Sequence, residues 1–140
     1  MEAKEPNKDY MRHKLAQAGD SLAEAKGLLD DGAELGYVVN SLFYAFYYPV
    51  LALLHTRGVP AAMQSVTIAL FDKEFVRTGI IEKRFSDALH RAFDLKPKCS
   101  PGSLKPVNRD DVRELLLEAE TFLETARLKT GGAGPDAPPR

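Results

Sequence analysis

The sequence has a single cysteine, Cys99, among its 140 residues. One cysteine cannot form an intrachain disulfide or a cysteine-rich zinc site. No histidine or acidic residue stands close beside it, so we interpret Cys99 as an incidental loop thiol in a protein from a reducing compartment. The first residues carry charges instead of the apolar core of a signal peptide. We therefore expect a cytoplasmic location.

The sequence also lacks the motifs of several catalytic classes. It has no Gly-rich phosphate loop, no His-Glu-x-x-His zinc motif and no calcium loop. Acidic residues of the last predicted helix stand at helical spacing, but the Glu-x-x-His motifs of a di-metal bundle are missing. We therefore expect neither a metal site nor a cofactor.

An excess of charge of one sign is missing as well. The chain has 19 basic and 20 acidic residues and a net charge of −1. No overall field draws it to nucleic acid, so such binding would need a local patch. Its length and its 44% hydrophobic residues fit one soluble domain. We predict a single helical domain over residues 1–130 and, because GGAGPDAPPR has too little apolar content to fold, a disordered tail over residues 131–140.

Long hydrophobic runs are few, and the main one is SLFYAFYYPVLALL at residues 41–54. It is shorter than the roughly 20 residues of a membrane span and is interrupted by tyrosines and Pro49, so we expect no membrane insertion. It is too long for a strand and does not alternate. We interpret it as a helix that is apolar on nearly every side and is therefore enclosed by other helices.

Apolar spacing and stop signals together define the predicted helices. The four long ones cover residues 9–31, 34–57, 80–95 and 108–129, and the connector over residues 61–79 holds a short helical pattern. A proline-rich loop follows at residues 96–107, and no segment favours a strand. The predicted fold is all-α, an up-and-down antiparallel four-helix bundle with a short extra helix between helices 2 and 3.

Three histidines are the candidates for proton transfer, because an imidazole titrates near physiological pH. We expect His13 to be solvated and His55 to act as a cation at the end of the second helix, where the helix dipole favours one. His90 lies six residues after Arg84 on the third helix. Six residues turn a helix by about 600°, so the two side chains point about 120° apart. Either they share a task or they are two unrelated rim residues.

The same region holds a local excess of basic residues. Between residues 83 and 109 only Asp87 and Asp94 are acidic. A polyanion would find this segment the most attractive part of a near-neutral chain, although simple solvation of the charges is the alternative. Besides Arg84, the candidates for RNA or phosphate contacts are Lys83, Arg91, Lys96 and Lys98.

An ordered set of positions resembles the HEPN domain of the small stand-alone prokaryotic type, over residues 22–127. The set comprises Asn40, Ala45-Phe46-Tyr47-Tyr48, Leu53-Leu54, Gly58, Phe71, Phe75 to Ile80, Ala119, Phe122 and Ala126. The resemblance implies a helical bundle that is usually a homodimer. It also implies a toxin–antitoxin module in which the partner is a minimal nucleotidyltransferase.

Active members of that family are metal-independent ribonucleases. Their signature is an Arg, four to six residues and a His, and two copies meet across the dimer cleft. Arg84 and His90 fit this spacing and would be the catalytic pair. The signature usually lies later in the chain, and two other family segments are replaced here by residues 62–65 and 95–101.

Three functions follow from these observations. The first is a HEPN module that binds a nucleotidyltransferase, a nucleotide or RNA without strong catalysis of its own. The second is a HEPN ribonuclease toxin that uses Arg84 and His90. The third is a helical dimerisation scaffold. In each case we expect part of the aromatic helix or of the third helix to be shared between protomers.

Overall fold

The computed structural model describes residues 7–96 and 107–131, and it contains five α-helices and no strand within them. The helices are α1 Lys8–Asp30, α2 Leu35–Thr56, α3 Gln64–Phe71, α4 Lys83–Leu95 and α5 Arg109–Lys129. A π-helical turn, Asp72–Val76, continues α3. The prediction of an all-α fold is confirmed for these residues, and the short extra helix is present. The up-and-down antiparallel order of the helices stays a prediction.

Several predicted features lie outside the described residues. They are Lys98, Cys99, nearly all of the loop predicted over residues 96–107 and of the tail predicted over residues 131–140, and the first six residues of the chain.

Side-chain caps define the starts of the first and last helices, α1 and α5. The Asn7 side chain accepts a hydrogen bond of 3.0 Å from the Tyr10 amide, so Asn7 caps α1 and Lys8 is already helical. Asn108 caps α5 through a 2.8 Å bond from the Asp111 amide, as its sequence position predicts.

Helix α4 begins at Lys83 and not at residue 80. The reason is a turn in which Gly79 has a φ of 80°, a conformation that glycine adopts most easily. After it, the Ile81 amide donates to the Phe75 carbonyl at 2.9 Å, and the Ile81 side chain is buried. Ile81 thus anchors the turn and lies before the first residue of α4, although the sequence predicts it within the helix.

Helix α2 is the central element and contacts α1, α3, α4 and α5. Phe43 and Phe46 are completely buried, and the helix continues through Pro49. By length and composition alone, α2 could cross a membrane. However, 72% of its most apolar window is buried within the protein. The sequence prediction that this run is enclosed by other helices is confirmed.

Phe122 on α5 joins three other elements to one aromatic cluster. Its ring centroid lies 5.9 Å from Phe46 of α2, 5.8 Å from Phe71 of α3 and 5.3 Å from Phe85 of α4. All four side chains are fully buried. This cluster fixes α4 against both α5 and the end of α3, and those two contacts form the candidate site.

Candidate functional site

The π-helical turn at the end of α3 brings an acidic side chain to α4. The Arg77 amide donates to the Asp72 carbonyl at 2.8 Å, five residues earlier, which is the π pattern. Phe71 and Phe75 both enter the core, with ring centroids 6.1 Å apart. Asp72 is left at the edge of the core with its side chain 24% exposed. Single π turns are frequent at functional sites.

The Asp72 carboxylate holds two side chains of α4. Ser86 and His90 are four residues apart and so share one helix face. The Ser86 hydroxyl donates to Asp72 Oδ1 at 2.6 Å, and His90 Nε2 lies 2.6 Å from Asp72 Oδ2. Because an ionised carboxylate only accepts hydrogen bonds, His90 Nε2–H is the donor. Nδ1 is therefore the ring nitrogen that remains for a ligand, on a side chain that is 51% exposed.

Arg84 is held on another side of α4. Its Nη1 donates to Glu118 Oε1 of α5 at 3.2 Å, and its Nε lies 3.6 Å from Glu82 Oε1. Its guanidinium also lies 4.5 Å from the centroid of the Phe85 ring. None of the hydrogen bonds or ion pairs in the described part of the chain joins Arg84 to His90. A single chain therefore directs the two predicted catalytic residues toward different elements, and their joint role stays a prediction.

A groove of about 340 Å³ lies between α4 and α5. Arg84 and Arg91 are seven residues apart, about two helical turns, and both line it. Arg91 forms ion pairs of 2.6 Å with Asp111 and 3.8 Å with Glu114. The other lining residues are Asp87, Ala88, Glu114, Leu115 and Glu118, and His90 is not one of them. The groove thus carries charges of both signs.

Lys83 and Lys96, two of the other predicted phosphate contacts, are also engaged. Lys83 bonds both carboxylate oxygens of Asp87, at 2.9 and 3.2 Å. The Lys96 ammonium lies 5.1 Å from the Phe43 ring and 5.9 Å from the Phe93 ring. Acids of α5 pair with Arg84 and Arg91, and Asp87 of α4 pairs with Lys83, so the fold offsets part of the basic excess of this segment. Exposed pairs of this kind are worth only about 0–1 kcal/mol each, so a phosphate group can compete for these cations.

His55 has a role that differs from the expected one. The Asn7 amide donates to His55 Nε2 at 2.8 Å, and the His55 ring centroid lies 4.6 Å from that of Tyr10. A ring nitrogen can accept a hydrogen bond only when it carries no proton, so this contact requires a neutral imidazole. The expectation of a cation at the end of α2 is wrong in this arrangement, because the entry to α1 packs over that end. His13 is exposed, as expected.

Within residues 7–96 and 107–131, no group of three or more His, Cys, Asp or Glu side chains lies close enough to hold a metal ion.

Sequence reasoning missed Asp72 and Ser86. The four-residue spacing of Ser86 and His90 is visible in the sequence, but the contact with Asp72 depends on the π turn and on how α3 meets α4.

Comparison with known proteins gives the family. A UPF0332 protein of Thermotoga maritima is 32% identical over 124 residues, which are 89% of this chain and 91% of that protein. The chain belongs to the UPF0332 family. No family model matches it.

Two archaeal proteins are also similar to this UPF0332 chain. Both are from Methanocaldococcus jannaschii, and each is named a "putative toxin". One is 21% identical over 114 residues, which are 81% of this chain and 78% of that protein. The other is 25% identical over 107 residues, which are 76% of this chain and 78% of that protein. In every case the similarity extends over most of both chains.

Proposed function

We propose that this UPF0332 protein is the toxin-type component of a toxin–antitoxin module, with the up-and-down helical bundle of the HEPN type. It acts as a homodimer and binds a minimal nucleotidyltransferase partner, a nucleotide or RNA. Two relatives that match this chain over most of their length are named as putative toxins, and these names support the role. The enclosed aromatic helix α2 supports the HEPN-type fold.

The observation that carries the proposal is the separate placement of Arg84 and His90. Arg84 is paired with Glu118 on α5, whereas His90 is bonded to Asp72 on the π turn. A lone chain therefore lacks an assembled Arg–His site. A module that binds its partner or RNA needs no assembled Arg–His site, whereas catalysis would need a second copy to bring Arg84 and His90 together.

A second form of the function is a metal-independent ribonuclease toxin. The contact between His90 and Asp72 favours it, because it leaves Nδ1 of a half-exposed imidazole available to a substrate. Arg84 from one protomer and His90 from its partner would then form the site across a dimer cleft. The guanidinium would hold the scissile phosphate by charge-assisted hydrogen bonds, and the imidazole would exchange a proton with the ribose hydroxyl.

An RNA-cleavage assay in EDTA separates the two forms. Purified wild-type protein is compared with His90→Ala, and His13→Ala is the matched control because His13 is an exposed histidine on α1. The ribonuclease form predicts cleavage by wild type and His13→Ala and a loss of about 100-fold or more in His90→Ala, the usual contribution of a general base. Equal cleavage rates in all three proteins, or no cleavage above the rate in buffer alone, would exclude the ribonuclease form and leave the binding form.

A further inference from the structure

We propose that Asp72 is a positioning residue for His90, with Ser86 as its anchor, in the cleavage of RNA. This role rests on the ribonuclease form of the proposed function. It concerns a carboxylate on the π turn after α3, which lies 18 residues before the histidine and outside the Arg–His signature.

The Asp72 carboxylate is fixed at both oxygens and through its backbone. Oδ1 accepts from Ser86, whose residue is only 5% exposed, and Oδ2 faces His90 Nε2, each at 2.6 Å. The Asp72 amide donates to carbonyls of the preceding turn, and its carbonyl accepts from Arg77 in the π turn. Short bonds of this length are typical of charge-assisted hydrogen bonds. The carboxylate is therefore a rigid support and not a mobile surface acid.

This support acts on a side chain that would otherwise rotate in solvent. His90 is about half exposed, and only Asp72 holds its ring within the described residues. A carboxylate on Nε2–H fixes the ring orientation and the tautomer, and it stabilises the imidazolium that forms when the ring takes a proton. The Nδ1 lone pair is then directed away from Asp72, where it can meet a ribose.

The reaction step follows from that geometry. His90 Nδ1 takes the proton of a ribose 2′-hydroxyl, and the 2′-oxygen forms a bond to the adjacent phosphorus. The bond from phosphorus to the 5′-oxygen breaks, and this oxygen leaves with the bonding electron pair and takes a proton from water. The His90 imidazolium then returns its proton to the hydroxide that remains. The products are a 2′,3′-cyclic phosphate and a 5′-hydroxyl, and no oxidant or metal ion enters the balance.

Steady-state cleavage of a 5′-fluorescein-labelled single-stranded RNA in EDTA tests the proposal. Asp72→Asn keeps the size of the side chain and removes its charge, and Asp20→Asn is the matched control because Asp20 is an exposed aspartate on α1. We expect kcat to fall by at least about 10- to 100-fold in Asp72→Asn, the effect of removing a group that orients a metal-ligating histidine, with KM unchanged. Ser86→Ala, which keeps the carboxylate but removes its anchor, should give a smaller loss.

A spectroscopic readout separates positioning from a general loss of structure. In wild-type protein the His90 Nε2–H proton should give a slowly exchanging NMR signal, and this signal should disappear in Asp72→Asn while the helical circular dichroism is retained. Wild-type kcat in Asp72→Asn, beside an inactive His90→Ala, would overturn the role of Asp72 and leave the ribonuclease form standing. Equal cleavage by wild type and His90→Ala would contradict the ribonuclease form, and the positioning role would fall with it.

Discussion

Hydrogen bonds between distant parts of the chain decide the surroundings of two histidines, His55 beside Asn7 and His90 beside Asp72. The Asn108 cap could be predicted, because a cap is a local contact between residues three apart. The roles of His55 and Asp72 could not, because their partners, Asn7 and His90, are 48 and 18 residues away. In both cases the helix pattern gives the position of the residue, but only the packing of helices gives its partner.

Tyr10 gives a prediction at this scale. Burial, with a smaller effect of the nearby Tyr47, raises the pKa of Tyr10 above its ordinary value of 10.0. The folded protein therefore holds the phenol proton more tightly than the unfolded chain. The corresponding stability is fully present below about pH 10 and is lost as the pH rises through the folded-state pKa.

Urea unfolding at pH 8 and at several values above pH 10 measures this effect. We expect the free energy of unfolding of Tyr10→Phe to fall less with rising pH than that of wild type. Tyr37→Phe is the control, because Tyr37 is 63% exposed, and it should follow the wild-type curve. An alkaline loss of stability that is the same in Tyr10→Phe and wild type would show that this phenol does not contribute.

The three long helices could be predicted closely from the sequence, because α1, α2 and α5 begin and end near their expected bounds. A helical pattern that is sustained over about six turns is a strong signal. The end of α3 could not be foreseen, because a π turn shifts the register of side chains without any marked change in composition. The start of α4 was misplaced because buried Ile81 continues the apolar pattern before the helix begins.

Replacement of Phe122 tests how the helices pack against one another. Phe122→Ala removes the ring that contacts aromatic side chains of α2, α3 and α4. We expect the free energy of unfolding to fall by about 3–5 kcal/mol, as for other buried Phe→Ala changes. Leu117→Ala on the same helix is the control, because Leu117 is 62% exposed, and it should change stability by about 0.5 kcal/mol or less. Equal stabilities of the two variants in urea would contradict the aromatic cluster.

Charge illustrates the difference between the sequence and the whole molecule. Along the chain, residues 83–109 are basic, but in the fold Glu118, Asp111 and Glu114 of α5 pair with Arg84 and Arg91. The apolar surface also changes with folding, because α2 is enclosed almost entirely and only Tyr37 remains largely exposed among its aromatic residues. A homodimer that shares part of α2 or α4 stays a prediction. In such a homodimer, the Arg84 and the His90 of one site would come from opposite copies.

The role of a toxin-type component is tested most directly by growth. The chain is expressed alone from an inducible promoter in a bacterial host, beside the same vector with an early stop codon, and then together with a minimal nucleotidyltransferase as its proposed partner. We predict growth arrest only when the intact chain is made alone, and recovery when the partner is present. Normal growth while the soluble chain accumulates would contradict the proposed role.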